Sequence, residues 1–305
     1  MSNSKTFFLY IFQPFAHYRN PFTWNHPRTL PLPPRSTVVG MLQRLTGDYY
    51  GSKKYHEEWR NLEIMILGRF STKFNNYSRL YKGDEFWFSK TMRLIAHSRK
   101  GWKIINGPSG FSADPNPQYI EELFNQRLLI FLRGNEGLIG EIHETLKSGK
   151  FPNLYLGRAE DIAFIRGFGY LNEVKAQITE IIGIGKRYGY WILDKNELLE
   201  QIRKGFTYFL PIHSEFRIES ENRPPKNRSE LFYRRKSLVR FNVWEKHIYI
   251  PPGVSVGNLS GVNIYQMENL EIKDPIKEEI KQYFGTLTFR MPEEAWLRGE
   301  EHENG

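Results

Sequence analysis

Between Phe15 and Arg35 four aromatic rings (Phe15, Tyr18, Phe22, Trp24) are interleaved with three guanidinium groups (Arg19, Arg28, Arg35). Ring faces stack on nucleobases of any identity and guanidinium groups meet phosphates, so the mixture suits a single-stranded polynucleotide. Pro31, Pro33 and Pro34 fix φ along the end of this loop and lower the entropy cost of ordering it. Ser36 and Thr37 stand where a helix N-cap belongs, and Val38, Val39, Leu42 and Leu45 give the following helix one apolar face. First-turn amides beside Arg35 would then point away from the core, where they could hold a phosphate. The plainer alternative is a lid of aromatics over a core, with Ser36 a cap and nothing more.

Acid–base chemistry has fewer candidates. The eight histidines are scattered, no HExxH or HxE…PCxxC pattern exists, and no GxSxG elbow is present. With no cysteine the chain has no thiolate metal site, thiol nucleophile or disulfide, which fits a reducing cytoplasm. His17, Tyr18, His97 and Lys100 are the residues that could run metal-free RNA cleavage, a base taking the ribose 2′-OH proton while a cation stabilises the phosphorane. That reaction requires an acid and a base converging on one phosphate, whereas strand binding requires only stacking faces and cations. The expectation is a non-enzyme with no metal and no cofactor.

The elements that must position these residues follow from hydropathy pattern. Thr6 to Phe12 reads as a buried strand, Ser36 to about Leu45 as a helix, Gly47 to Ser52 as a linker and Leu62 to Phe70 as a second strand. Strand, loop, helix, strand is the first half of a ferredoxin-like or RRM-like βαββαβ unit. Lys73 to Gly110 is polar and aromatic with weak alternation, read as a protruding hairpin. Asp114 and Pro115 suggest a helix start for Gln118 to Asn125, followed by a strand over Arg127 to Leu132. A helix over Glu136 to Ser148, closed by Gly149, and a strand around Ile162 to Phe168 complete the unit. The expected class is α+β: an RRM-like domain over residues 1–170 with a thumb at about 73–110, a β-rich part over 171–290, and an acidic tail over 291–305.

Two further segments could touch a polyanion. Ile182 to Trp191 sets Gly183, Gly185 and Gly189 around Lys186 and Arg187, but it lacks the glycine and the Ser or Thr of a P-loop, and a simple hairpin turn explains it equally well. Arg223 to Arg240 holds seven Lys or Arg and one Glu, a solvated loop or a secondary nucleic-acid contact. The formal charge is +9; the last fifteen residues hold five glutamates against one arginine, so the body is near +13, and a polyanion is its natural partner. No apolar run approaches the length of a membrane span, and nothing resembles a signal peptide.

The order of the pieces then becomes informative. TLPLPPRSTVVGMLQRLTG, preceded by YRNPFTW and a strand, resembles the start of the CRISPR-associated RAMP family that caps the crRNA 5′ handle in type I Cascade complexes, the fifth Cas family, with an N-terminus closest in length and wording to subtype I-B. NLYLGRAED, Asn153 to Asp161, is similar to that family's tyrosine-leucine-glycine-arginine block at the expected distance. The resemblance implies a non-catalytic subunit that hooks the crRNA 5′ handle, contacts the adjacent repeated backbone subunit through its thumb, docks the large PAM-reading subunit, and so meets target DNA indirectly. On that basis RNA contacts are expected at Tyr18, Arg19, Trp24, Arg28, Arg35, Ser36, Thr37, Arg158, Lys186 and Arg187. Thumb contacts are expected at Phe86, Trp87, Lys90, Arg93, Arg99, Lys100 and Trp102. A stand-alone endoribonuclease and a generic single-stranded RNA-binding protein are the alternatives.

Overall fold

A computed structural model describes residues 6–23, 26–48, 56–81, 85–88, 94–98, 101–105, 115–176, 187–194, 205–221, 238–254, 262–267 and 272–299. Strand β1 (Thr6–Ala16) runs through its middle, and consecutive residues Phe7 to Ile11 are wholly buried. Such a run of apolar residues without alternation means that both faces are covered. Phe7, Leu9 and Ile11 enter a core shared with helices α1 (Arg35–Thr46) and α3 (Glu136–Ser148). Phe8 and Tyr10 enter a second core under helix α4 (Asp274–Phe284), where Tyr10 meets Phe284 edge-on at 6.3 Å.

Strands β2 (Glu63–Arg69), β7 (Pro115–Arg133), β1 and β8 (Phe164–Ala176) are neighbours in that order, each antiparallel to the next. The crossover from β1 to β2 carries α1 and the short α2 (His56–Asn61), and the crossover from β7 to β8 carries α3. Leu138, Ile139, Ile142 and Leu146 of α3 are buried, as their spacing predicts. Asn135 Oδ1 caps this helix by accepting from the Gly137 and Leu138 N–H groups, and Gly149 ends it at φ 65°. The start of α1 departs from the expectation: the helix begins at Arg35, Pro34 is its N-cap residue, and Ser36 lies buried in the first turn rather than capping it. The Pro34 carbonyl takes the N–H groups of Thr37 and Val38.

Along β7, β2 gives way to β3 (Thr72–Tyr81), which pairs from Thr72 opposite Phe124 to Tyr81 opposite Pro115. The helix expected over Gln118 to Asn125 is therefore part of β7; its backbone groups are claimed by β3, a partner some 40 residues upstream that local propensity cannot register. Asn125, at φ 56°, breaks the alternation of β7 without a change of register, and Leu123 and Leu128 on either side of it enter the same core. Strands β4 (Glu85–Phe88), β5 (Leu94–Ser98) and β6 (Gly101–Ile105) form a separate three-stranded sheet within the stretch read as a hairpin.

The β-rich part beyond Leu171 extends both edges of the main sheet. On one side β9 (Gly189–Leu193) joins β2, and β11 (Leu238–Ile250) and β10 (Phe206–Ile218) follow. Gly189 is opposite Gly68 there, and a side chain on it would sit 2.4 Å from the Tyr249 hydroxyl, so only glycine fits. On the other side β12 (Val262–Gln266) joins β8, and β13 (Thr288–Pro292) joins β12. Residues 291–299 of the acidic tail return to the sheet: Trp296 and Leu297 are buried, and Leu297 exchanges both backbone hydrogen bonds with Ile64. Among the described residues no helix is long and apolar enough to cross a membrane.

Candidate nucleic-acid interface

The NLYLGRAED block closes on itself and on β1. Leu154 and Leu156 are buried, Gly157 sits at φ 113°, and a side chain there would lie 2.7 Å from the His17 carbonyl, which is why the turn requires glycine. Asp161 Oδ2 accepts from the His17 N–H at 3.1 Å and the Arg158 N–H at 2.8 Å. Gln13 Nε2 donates to the carbonyls of Leu156 and Asp161, and the Tyr18 hydroxyl donates to Gln13 Oε1. The two blocks that carry the family resemblance are thus joined by one buried polar network.

This network changes the expected roles of two residues. Tyr18 is only 1% exposed and its hydroxyl is consumed, so it is not a free stacking face; burial holds its phenol well above the ordinary value. Arg158 Nη2 binds Asp161 Oδ1 at 2.8 Å and Glu122 Oε1 at 2.6 Å, with Glu160 at 3.4 Å from Nε. Burial alone would lower the guanidinium, but the hydrogen bonds and charges of Asp161 and Glu122 hold it above its usual value. One cation facing three carboxylates leaves no positive charge for a phosphate.

Arg35 is the larger correction. It is fully buried, and its guanidinium donates to the carbonyls of Leu62, Trp59, Arg60 and Ile212. Burial lowers it to about 9, against the pull of Glu245 and Glu63. It ties α1 to α2, β2 and β10, so it supports the loop without meeting a ligand.

Among the described loop residues Arg19, Phe22, His26 and Arg28 are exposed. The loop returns on itself, with Arg19 bridged to Thr29 and the Leu30 N–H bonded to the Tyr18 carbonyl. Glu121 of β7 anchors it: Oε2 accepts the Thr29 N–H, its N–H donates to Pro27, and its carbonyl accepts from His17 Nδ1 at 2.7 Å. A carbonyl only accepts, so His17 Nδ1 carries the proton and Nε2 holds the lone pair; burial lowers the imidazole, against the hydrogen bond to Glu121.

Beside the loop lies a cleft of about 550 Å³, lined by His17, Arg19, Ser36, Thr37, Arg158 and Trp244 among others. Its walls come from the loop, the first turns of α1, the NLYLGRAED block and the β10–β11 hairpin. Ser36 Oγ is buried and has no hydrogen-bond partner. Among the described residues no carboxylate pairs with Arg19. At the rim Phe22 packs against Phe209 at 6.2 Å and Trp244 at 5.7 Å, and Phe22 and Phe209 are more than half exposed.

Residues 7–230 match the family model described as CRISPR-associated protein (Cas_Cas5). The chain belongs to the Cas5 family. No curated protein matches it. Among solved structures it is similar to a chain of a CRISPR RNA-guided surveillance complex, at 11% identity and TM-score 0.42, over 92% of this chain and 100% of that one. It is also similar to a chain of a Type III-B Cmr-beta complex bound to cognate target RNA and AMPPnP, at 11% identity and TM-score 0.40, over 90% and 92%. A third is a CRISPR protein from Archaeoglobus fulgidus, at 9% identity and TM-score 0.36, over 87% and 96%.

In this Cas5-family chain the expected site residues divide clearly. Tyr18, Arg19, Ser36, Thr37 and Arg158 line the cleft, while Arg28 lies in a second one with Glu121 and Tyr119. Arg187 is elsewhere, against the end of α4, donating to the Gln282 carbonyl. Trp24, Lys186, Lys90, Arg93, Arg99 and Lys100 lie outside the described residues; Phe86 and Trp87 are in β4 and Trp102 in β6. His97 is in β5, opposite Glu85 and Trp102. The rim residues Phe209 and Trp244 escaped sequence reading; the aromatic alternation of residues 206–209, FTYF, was the available signal. Among the described residues no cluster of side chains could hold a metal ion.

Proposed function

We propose that the chain is the non-catalytic subunit of a type I CRISPR surveillance complex that holds the crRNA 5′ handle. The observation that carries this reading is the convergence on one cleft of two blocks more than a hundred residues apart, with an arginine that no carboxylate of the described residues pairs, a helix start and exposed rings around it. In this scheme Arg19 and the first turn of α1, with Ser36 Oγ, receive phosphates. Phe22, Phe209 and Trp244 stack on unpaired bases. The strand order β2, β7, β1, β8 with two helical crossovers supports a ferredoxin-like, RRM-like palm. In the same reading the β3–β7 hairpin with its small sheet is the thumb for the adjacent backbone subunit, and the large PAM-reading subunit docks nearby.

The test is binding of a labelled RNA carrying the 3′ part of the cognate CRISPR repeat. Affinity should fall with salt, log K against log salt having a slope of about −0.7 for each phosphate contact. The pair Arg19→Ala, Trp244→Ala should weaken binding at least tenfold at an unchanged melting temperature. A flat salt response, or equal binding by the variant, refutes the reading. Equal affinity for an unrelated sequence would make the chain a generic single-strand binder.

A further inference from the structure

Among the described residues, the face of the sheet under α4 is covered at only one end. Phe8, Tyr10, Leu129 and Phe131 lie in the second core, but beyond Arg127 the same face carries Phe12, Phe15, Phe124 and Phe164. Their neighbours Ile11, Ala16, Leu123 and Ala163 all belong to the core on the α1 and α3 side, and the break in β7 at Asn125 turns Phe124 to the face of Arg127. Phe15, Phe124 and Phe164 are 46, 42 and 47% exposed. They sit in cross-strand pairs, Phe12 stacked on Phe164 at 6.1 Å and 26°, and Phe15 against Phe124 at 5.5 Å, with Phe74 of β3 at 6.2 Å from Phe15. Phenylalanine has no polar tip to keep it at a surface, so a cluster left this open needs an occupant.

On the Arg127 side the border of the patch is cationic. The Arg127 guanidinium lies 3.9 Å from the centre of the Phe12 ring, Arg166 is beside it, and both share the single carboxylate of Glu279. Arg69 reaches over Tyr283 close by, a third cation on this side. The patch is also continuous with the cleft: Phe15 stands two residues before His17, and Phe164 three after Asp161, the two ends of the hydrogen bond that closes the loop. A basic border, open ring faces and continuity with a proposed strand path favour a nucleic acid over an apolar protein surface.

We propose that Phe12, Phe15, Phe124 and Phe164 form a second, sequence-tolerant subsite that stacks two or three bases of a single strand leaving the cleft. This rests on the RNA-binding reading above. Neighbouring strands of a four-stranded sheet take bases in this way when aromatic residues stand on its open face.

The full-length chain is titrated with 5′-fluorescein oligouridylates of about four and about sixteen nucleotides. Arg19→Ala should weaken both. Phe124→Ala, Phe164→Ala should weaken only the longer, by roughly fivefold or more for each stacked base lost. Binding of neither oligonucleotide at low salt sinks the RNA reading itself. Wild-type affinity of the double variant for the longer strand overturns this subsite alone, as does a variant that binds RNA normally but fails to enter the complex, since the patch would then be a protein interface. If the variant melts early, photocrosslinking of wild-type protein to a 4-thiouridine strand replaces it: adducts on peptides containing Phe124 or Phe164 are expected, and adducts confined to cleft peptides refute the subsite.

Discussion

The backbone N–H of His17 is held by the carboxylate of Asp161, 144 residues later in the chain, at 3.1 Å. The same oxygen receives two donors from Arg158. A buried anion that satisfies four donors, three of them at one oxygen, fixes the end of β1 and hence the direction in which the loop leaves it. The YLGRAED block is a clasp that shapes the cleft, and its arginine charge is spent internally.

Asp161→Ala therefore leaves the His17 N–H and the Arg158 guanidinium without their shared acceptor. Stability should fall by about 3 kcal/mol, the cost of breaking a buried charged hydrogen-bond network. Urea unfolding checks this, and an unchanged midpoint would mean that water replaces the carboxylate. RNA affinity should fall with it, because Arg19 lies two residues beyond His17.

Arg35 and Arg19 look alike in sequence and should separate in experiment. Arg35→Ala orphans four carbonyls in the interior and should destabilise the fold by about 3 to 5 kcal/mol. Arg19→Ala should leave the melting temperature within a degree or two and act on RNA affinity. Chemical denaturation of the two single variants side by side is decisive; similar stabilities would return Arg35 to the ligand side.

Several elements were legible before any coordinates. The spacing of Leu138, Ile139, Ile142 and Leu146 between Asn135 and Gly149 specifies α3, and the unbroken apolar run of β1 announces a strand covered on both faces. Residues 118–125 misled because Asp-Pro opens helices and strands alike, and only the distant β3 decides. Arg35 and Tyr18 misled for a related reason. Their types and neighbours suggest a surface loop, but the carbonyl of Ile212 and the side chain of Gln13 that bury them cannot be read from local sequence. Phe209 and Trp244 were missed because nothing local links a hairpin near residue 210 to a loop near residue 20.

Alkaline pH should unfold the chain through its tyrosines. Burial raises the phenols of Tyr10, Tyr18, Tyr188, Tyr190 and Tyr249 above their ordinary value of 10.0. A folded pKa above the unfolded one gives stability that is fully present below pH 10 and is lost as pH rises beyond it. Arg35 acts in the opposite sense: lowered to about 9 from 12.5, it adds stability as pH rises between those values. Five groups against one decide the sign, so stability should decline above pH 10. Phenolate absorbance rising together with loss of far-ultraviolet circular dichroism checks this; phenolate formation in a folded chain would contradict it.

Repeat RNA incubated with the purified chain and a chelator should remain intact. His17 Nε2 is an available base, but the hydroxyl of its neighbour Tyr18, the acid expected beside it, is donated to Gln13. Gel analysis of the RNA ends is the check. Specific cleavage abolished by His17→Ala would put the endoribonuclease reading first.

The small sheet of β4, β5 and β6 gives the clearest test of assembly. Its strands pair with one another, while β3 and β7 are tied by their own ladder from Thr72 opposite Phe124 to Tyr81 opposite Pro115. Replacing residues 82–114 with a short Gly-Ser linker should therefore keep the ladder, the cleft and the melting temperature, because loop closure costs only slightly more or less with length. Handle RNA binding by the isolated chain should change only modestly, while co-purification with the adjacent backbone subunit should be lost. Aggregation or early melting of the deletion would instead mean that Phe86, Trp87 and Trp102 belong to the protein's own core, and the thumb reading would fall with it.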